Sequence, residues 1–278
     1  VTALAVVGHV EWVDFVTLAR LPAPGEIVQA RGVHEAPAGG GAMAAYAARS
    51  LTGACTFFCA LGDDARGRAT AEGLRAAGLA VRGAVHAGVA QRRTIAQLTD
   101  DGERTITVLG PPLEPRGDDD LPWGELAAGD GALVVTGDAG AIRAARAAPV
   151  LVATSRARAG LLAAGVELDA LVASATDPTE PIDDALVEAT RPRWIVETEG
   201  ADGGWWRAAD GTSGRWAAAP LPGEPVDAFG CGDAFAAALA AALADGRPIA
   251  QACAVGACAG AAVLCQRAPA VGDLSRCW

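Results

Sequence analysis

The chain has 278 residues, of which 51% are hydrophobic and only 5% aromatic, with 22 Lys and Arg against 33 Asp and Glu and a net charge of −11. That length accommodates one large α/β domain or two small ones, and the abundance of alanine predicts a core of small side chains in close contact. The acidic balance excludes a nucleic-acid surface or an anionic-membrane surface, which need basic patches; it does not exclude a nucleotide, whose phosphates need only local amides and a metal.

Residues 2–8 form an apolar run ending in glycine, which predicts a buried opening strand. Residues 11–15 and 27–33 alternate loosely on either side of a Pro/Gly turn cluster at 21–25, which predicts two strands. Gly39-Gly40-Gly41 precedes helix-forming residues 42–51; a strand over 55–61 and a helix over 66–77, stopped by Gly78, follow. Residues 94–98 and 105–109 read as strands around a hairpin turn at 99–102. Beyond Pro111-Pro112, strand candidates at 132–136, 150–153, 170–173 and 194–198 alternate with alanine-rich helical stretches, the pattern of βαβ units in a parallel sheet. A long helix over roughly 233–245 closes the core.

No apolar stretch is long and uninterrupted enough to span a membrane, and no charged leader precedes an apolar core, so a soluble cytoplasmic chain is expected. The seven cysteines include no Cys-x-x-Cys pair and read mostly as small buried hydrophobes in a reducing compartment. His9, His34 and His86 show no metal-binding spacing.

The sharpest chemical signal is Asp227-Ala-Phe-Gly230-Cys231-Gly232-Asp233-Ala-Phe235. A helix starts here, and its first N–H groups lack intrahelical partners and carry the positive end of the dipole. Gly230 and Gly232 permit a tight turn and leave room for an anion to approach. Asp233 is placed to act as a base beside a phosphoryl group in transfer. Cys231, a thiol at a helix N-terminus, is expected to have a depressed pKa, although a spacer role is the simpler reading.

This nonapeptide resembles the signature of the ribokinase/PfkB family of carbohydrate kinases, with Ala228 where Thr is usual and Cys231 where Ala is usual. The resemblance implies a ribokinase-like fold: a Rossmann-like α/β core with helices on both faces of a parallel sheet, and a small β lid over the acceptor. It also implies a single domain over 1–278, whose lid comes from about 9–36 and 88–110. Other segments are similar to family elements. Val7-Gly8 followed by Asp14 resembles the opening element, which makes Asp14 the candidate for sugar hydroxyls, with Glu11 as the alternative in a different register. Gly39, Gly40 and Gly41 resemble the glycine cradle for the sugar, with Ala44 at the place of the usual Asn. Leu61-Gly-Asp-Asp64-Ala-Arg-Gly67 resembles a structural strand-to-helix turn capped by Asp. Ser174-Ala-Thr-Asp177 keeps the spacing of the family's Asn-x-x-Glu, which organises magnesium through water. Thr198-Glu-Gly200-Ala-Asp202-Gly203 resembles the nucleotide loop, though the same residues suit a hairpin turn. Arg92, Arg93 and Arg104 lie on or near the lid, within reach of a phosphate or a substrate acid.

The expected activity is therefore ATP-dependent phosphorylation of an alcohol on a sugar or sugar-like molecule. Asp233 would be the base, the amides of Gly230, Cys231 and Gly232 the anion hole, and ATP and Mg²⁺ the cofactors. Two alternatives stay open at this point: a nucleoside kinase, with Trp12 and Phe15 available to stack on a base, and a non-catalytic sugar or nucleotide sensor. A homodimer through an exposed lid edge is a further expectation.

Overall fold

In the computed structural model, which describes residues 2–100 and 104–278, strand β1 (Leu4–Val7) is buried on both faces, as its unbroken Leu-Ala-Val-Val run requires. The chain continues through β2 (Glu11–Leu18), β3 (Gly32–Ala38), α1 (Gly40–Thr52), β4 (Cys55–Gly62), α2 (Ala65–Ala76), β5 (Ala80–His86), β6 (Arg93–Thr99) and β7 (Arg104–Leu109). It then alternates: β8 (Gly131–Val134), α3 (Ala139–Ala145), β9 (Val150–Thr154), α4 (Arg158–Ala164), β10 (Ala170–Ser174), α5 (Asp184–Thr190) and β11 (Trp194–Thr198). A hairpin of β12 (Gly204–Ala208) and β13 (Ser213–Trp216) precedes α6 (Cys231–Ala244) and α7 (Ile249–Leu264).

Nine strands form the large sheet in the order β13-β12-β11-β10-β9-β8-β1-β4-β5, parallel from β11 to β5, with β12 antiparallel to both β11 and β13. Alternate residues of β1 feed two separate cores. Leu4 and Val6 pack with α1, α2, α6 and α7, while Ala5 and Val7 pack with α3 to α5. Helices therefore cover both faces. The chain runs outward from β1 to β4 and β5, then returns to place β8 on its other side. The crevice at the carboxyl ends of β1 and β8 is thus a topological switch point, where open α/β sheets place their ligands.

A second sheet of four strands, β3-β2-β6-β7, stands apart from the first. Its inner face, Val13, Phe15, Ala96 and Leu98, closes over Met43 and Phe229. Residues 27–31, expected to begin a strand, do not: pairing with β2 starts at Gly32, and Ile27 is fully exposed, with no apolar surface to rest on. The expected hairpin turn falls partly on residues 101–103, outside the described residues, although β6 and β7 pair antiparallel from Leu98 and Arg104 onward. β5 and the β12–β13 hairpin were not foreseen, because Gly83 and Arg82 in one and the tryptophans in the other blur the alternation.

Asp64 caps α2 by accepting from the Gly67 N–H at 2.7 Å, and Gly78, at φ 83°, ends that helical segment as expected. Cys258 and Cys277 form a disulfide that ties the C-terminal turn to α7, so these two are not the independent buried thiols expected of most cysteines here. Among the described residues no helix is long and apolar enough to cross a membrane.

Helix α6 is buried from Asp233 to Leu243 and packs on α1 and α7 through alanines. Small residues let helix backbones approach closely, and that approach places the start of α6. At the α7 contact, a Cβ on Gly256 would lie 2.9 Å from the Phe235 ring. Gly256→Val should therefore force the helices apart and destabilise the protein by about 1–3 kcal/mol, read as a lowered urea midpoint with an unchanged slope.

Candidate active site

The C-terminal end of α6 packs at the start of β8, where a Cβ on Gly131 would meet the Ala244 methyl at 2.9 Å. The N-terminal end of α6 therefore sits at the carboxyl ends of the strands. Gly230 turns into the helix at φ 85°, and an added Cβ there would strike Met43 at 2.6 Å. Gly232 faces open space, with nothing within 4 Å of an added Cβ. Gly230, Cys231 and Gly232 thus present a helix mouth that is tight behind and open in front, which suits an anion.

Asp233, in the first turn, keeps 12% of its side-chain surface exposed and points at the start of α1. An added Cβ on Gly40 would lie 2.9 Å from Asp233 Oδ1, and one on Gly41 would lie 2.5 Å from the His9 carbonyl oxygen. Gly39 enters α1 at φ 92°. The glycine run and Asp233, distant in sequence, therefore meet in one place. Neither glycine tolerates a side chain, because a carboxylate and a neighbouring backbone occupy the space.

The Gly40 N–H donates to His9 Nε2 at 3.1 Å, so the His9 proton sits on Nδ1 and is shared with Thr136 Oγ1 at 3.2 Å. Burial, then the charges of Arg156 and Arg92, push His9 down to about 3. This histidine is a neutral strut that holds the glycine loop.

Two residues not singled out from the sequence complete the cluster. Arg156, just beyond β9, donates from Nη1 to Asp233 Oδ1 at 2.8 Å, and from Nε and Nη2 to Glu180 Oε1 at 3.1 and 2.8 Å. Glu180 is buried and accepts the Ser174 N–H on its other oxygen at 3.2 Å. Asp233, then burial acting the other way, dominate the surroundings of Arg156, and the net effect raises its pKa, so it stays cationic. Neither residue belongs to a motif; an Arg directly after the carboxyl end of a strand was the one available hint.

The opening strand differs from the expectation. Asp14 lies on the opposite face of β2 from Val13 and Phe15, the residues that face the core, and pairs with Arg93 at 2.8 Å. Strand alternation instead turns Glu11 inward. There it accepts from Thr94 Oγ1 at 2.6 Å, pairs with Arg92 at 3.0 Å and lies beside Gly39. Burial raises the Glu11 pKa, and Thr94 and then Arg92 oppose that rise. Trp12 is on the Asp14 face and donates to Glu35 at 2.8 Å, while Phe15 is fully buried against His34 and Phe229. Phe15 is thus closed off, and Trp12 faces away from the core.

The remaining candidates line the same edge of the sheet. Ser174 and Thr198 are register partners at the ends of β10 and β11. Gly200, Asp202 and Gly203 form the turn from β11 into β12, with the Glu199 N–H donating to the Gly203 carbonyl at 2.8 Å. The loop is therefore a hairpin turn, placed where a nucleotide loop is expected. Asp177 holds its own turn: Oδ1 accepts from the Thr179 hydroxyl and N–H at 2.6 and 2.8 Å, which lowers its pKa. Arg104 reaches down from β7 to the Ala228 carbonyl at 2.8 Å, over the helix mouth. Cys231 departs from expectation, because burial pushes its thiol up to about 12 despite the helix dipole and Arg104. Burial thus makes it a poor nucleophile.

Residues 1–156 and 161–273 match the model described as pfkB family carbohydrate kinase. The chain belongs to that family. No curated protein matches it in sequence. Among solved structures it is similar to the microbiome-derived acarbose kinase Mak1, at 22% identity over 99% of this chain and 97% of that one, with a TM-score of 0.83. It is also similar to the adenosine kinase from Sinorhizobium meliloti (20% identity, 99% and 98% coverage, TM-score 0.78). A third is Arabidopsis thaliana ribokinase complexed with ribose and ATP (20% identity, 99% and 97% coverage, TM-score 0.75). At these identities the likeness shows the fold, and the fold is that of ribokinase.

The neutral His9 has a measurable consequence. Its folded pKa lies near 3 against 6.5 when free, so below about pH 6.5 the unfolded chain binds a proton that the folded chain refuses. The stability that His9 contributes is present above pH 6.5 and is lost as pH falls towards 3, at up to about 1.4 kcal/mol per pH unit. In urea unfolding between pH 7 and 4, the His9→Gln variant should show a shallower decline than the wild type.

Proposed function

We propose that this protein is an ATP-dependent kinase that phosphorylates an alcohol group of a sugar or sugar-like small molecule. The observation that carries this reading is the convergence of Asp233, the amides of Gly230, Cys231 and Gly232, and the side-chain-free loop of Gly39 to Gly41 at the switch point of the sheet. Phosphoryl transfer asks for a positioned hydroxyl, a base and neutralisation of the equatorial oxygens, and this convergence offers all three. Asp233 takes the proton of the acceptor hydroxyl as its oxygen attacks the γ-phosphorus. The three amides hold the charge of the transferring group, and the adenine nucleotide lies along Thr198 to Gly203, beside Ser174.

Among the described residues no group of three side chains could hold a metal ion by itself. Mg²⁺ would arrive with the nucleotide, keeping several of its waters and using one or two carboxylates together with phosphate oxygens. Asp177, exposed at the same edge and beside Ser174, is the acid that would face it; the ion would screen the phosphate charge. The acceptor lies between the glycine loop and the lid, where Glu11 rather than Asp14 accepts hydroxyl hydrogens. Phe15 is buried in the core and Trp12 lies on the opposite face of β2, which disfavours a nucleoside acceptor stacked on these two rings. The small sheet exposes Val33 on its outer face and Ile106 and Val108 on its edge strand β7, an edge suited to a second copy of the chain.

An ATP-consumption assay over sugars and nucleosides identifies the acceptor. With that acceptor, Asp233→Asn should lower kcat by about 10³-fold or more while ADP affinity stays within about threefold. An active Asp233→Asn enzyme rules out this base. Glu11→Gln should raise the acceptor KM about tenfold with a smaller change in kcat, whereas Asp14→Asn should leave KM near the wild-type value.

A further inference from the structure

Arg156 is bound on both sides by carboxylates yet is not saturated. A guanidinium has five N–H donors in one plane. Three are used, one on Asp233 and two on Glu180 Oε1. Glu180 is itself fixed: its side chain is 7% exposed, its second oxygen accepts from Ser174, and its carbonyl accepts from the Ser155 hydroxyl at 3.1 Å. The arginine head is thus gripped from behind through Nε and Nη2, and Nη1 projects past Gly40 to the base. An added Cβ on Gly40 would fall 2.4 Å from that nitrogen. Arg156 keeps 39% of its side-chain surface exposed, so its two remaining N–H groups are available to a ligand.

We propose that Arg156 is a catalytic residue that grips the phosphoryl group in transfer and, before substrates arrive, holds Asp233 through the same nitrogen. The inference rests on the kinase reading and adds to it a residue from the end of β9. The acceptor hydroxyl must reach Asp233, and the γ-phosphoryl must lie between that hydroxyl and the amides of Gly230 to Gly232. Arg156 Nη1 already stands at this meeting point. A phosphoryl oxygen carries more negative charge than one carboxylate oxygen and fits the planar fork, so it draws Nη1 off Asp233. Asp233 Oδ1 is then open to the hydroxyl. The acceptor oxygen forms its bond to phosphorus, its proton passes to Asp233, and the bond to the β,γ-bridging oxygen breaks with its electron pair leaving on ADP. Glu180 keeps the guanidinium from following the product. The ligand-free protein is thereby restrained from spending its base until a phosphoryl group is in place.

The test uses full-length Arg156→Ala, Arg156→Gln and Arg156→Lys with MgATP and whichever of D-ribose, D-fructose or adenosine the wild type phosphorylates. It adds binding of ADP alone and of ADP with aluminium fluoride, a planar mimic of the phosphoryl in flight, which needs no acceptor. Expected for the Ala and Gln variants are a kcat lower by about 10²-fold or more, an ADP Kd within about threefold, and loss of the tightening that aluminium fluoride confers. Added guanidinium ion should restore part of kcat to Arg156→Ala, and Lys should fall between Gln and wild type, because it keeps the charge but not the fork. A variant that keeps kcat and the aluminium fluoride effect within about threefold of wild type overturns the proposal. So does a loss that guanidinium does not relieve and that lowers ADP affinity equally, since that pattern marks a structural pair. If one variant does not fold, the others and the aluminium fluoride comparison decide. The kinase reading fails separately, through a wild type that consumes no ATP with any acceptor or an active Asp233→Asn.

Discussion

The contact on which the site depends is the approach of Asp233 and Arg156 to the bare backbone of Gly40. A carboxylate from the start of α6, a guanidinium from the end of β9 and a glycine from the start of α1 occupy one small volume. A side chain at position 40 would leave no room for it. The pair is partly desolvated, and an unpaired charge in such a place is costly, so Glu180 and Arg92 with Glu11 complete an alternating set of charges around it. Each of the paired charges Asp233 and Arg156 is satisfied without being sealed off. Arg156 stays partly exposed, and the space in front of Gly232 is open.

Getting three elements so close is a packing problem, and the composition of the chain is its solution. Helix α6 is buried along nearly its whole length and is almost entirely alanine between Phe235 and Ala244. Small side chains bring α1, α6 and α7 together and leave little apolar area per residue, a loss that the Val, Leu and Phe of the parallel strands offset. Close helices also hold the helix mouth rigidly against the glycine loop, and a neutral, buried His9 pins that loop through the Gly40 N–H. Rigid placement of amides is what makes an anion site effective.

The large-scale architecture was legible in the residues. Apolar runs bounded by helices in the second half announced a parallel sheet, and loose alternation in the first half announced a half-buried small one, because periodicity reports directly on which faces are covered. The helix mouth at Gly230 to Asp233 and the cap at Asp64 were readable for the same reason: each is a local rule about backbone N–H groups within a few residues. The start of β3, the strand at 80–86 and the β12–β13 hairpin were not, since their pairing partners and not their own patterns decide them. The inward acid of β2 is an instructive case. Glu11 and Asp14 are both acids on one strand, and a shift of one residue in register exchanges their faces.

Taken alone, the amino-acid order determined the elements, the glycine-rich turns and the one carboxylate that follows a nest of helix amides, because these depend on neighbours a few positions apart. Tertiary structure alone decided which charges meet. Arg156 lies 77 positions from Asp233 and 24 from Glu180, and no local rule connects them. Their association follows from which strands lie side by side and how closely the alanine helices allow them to approach. The same distant packing buries the Cys231 thiol and raises its pKa where the helix terminus alone would lower it, since desolvation outweighs a partial charge.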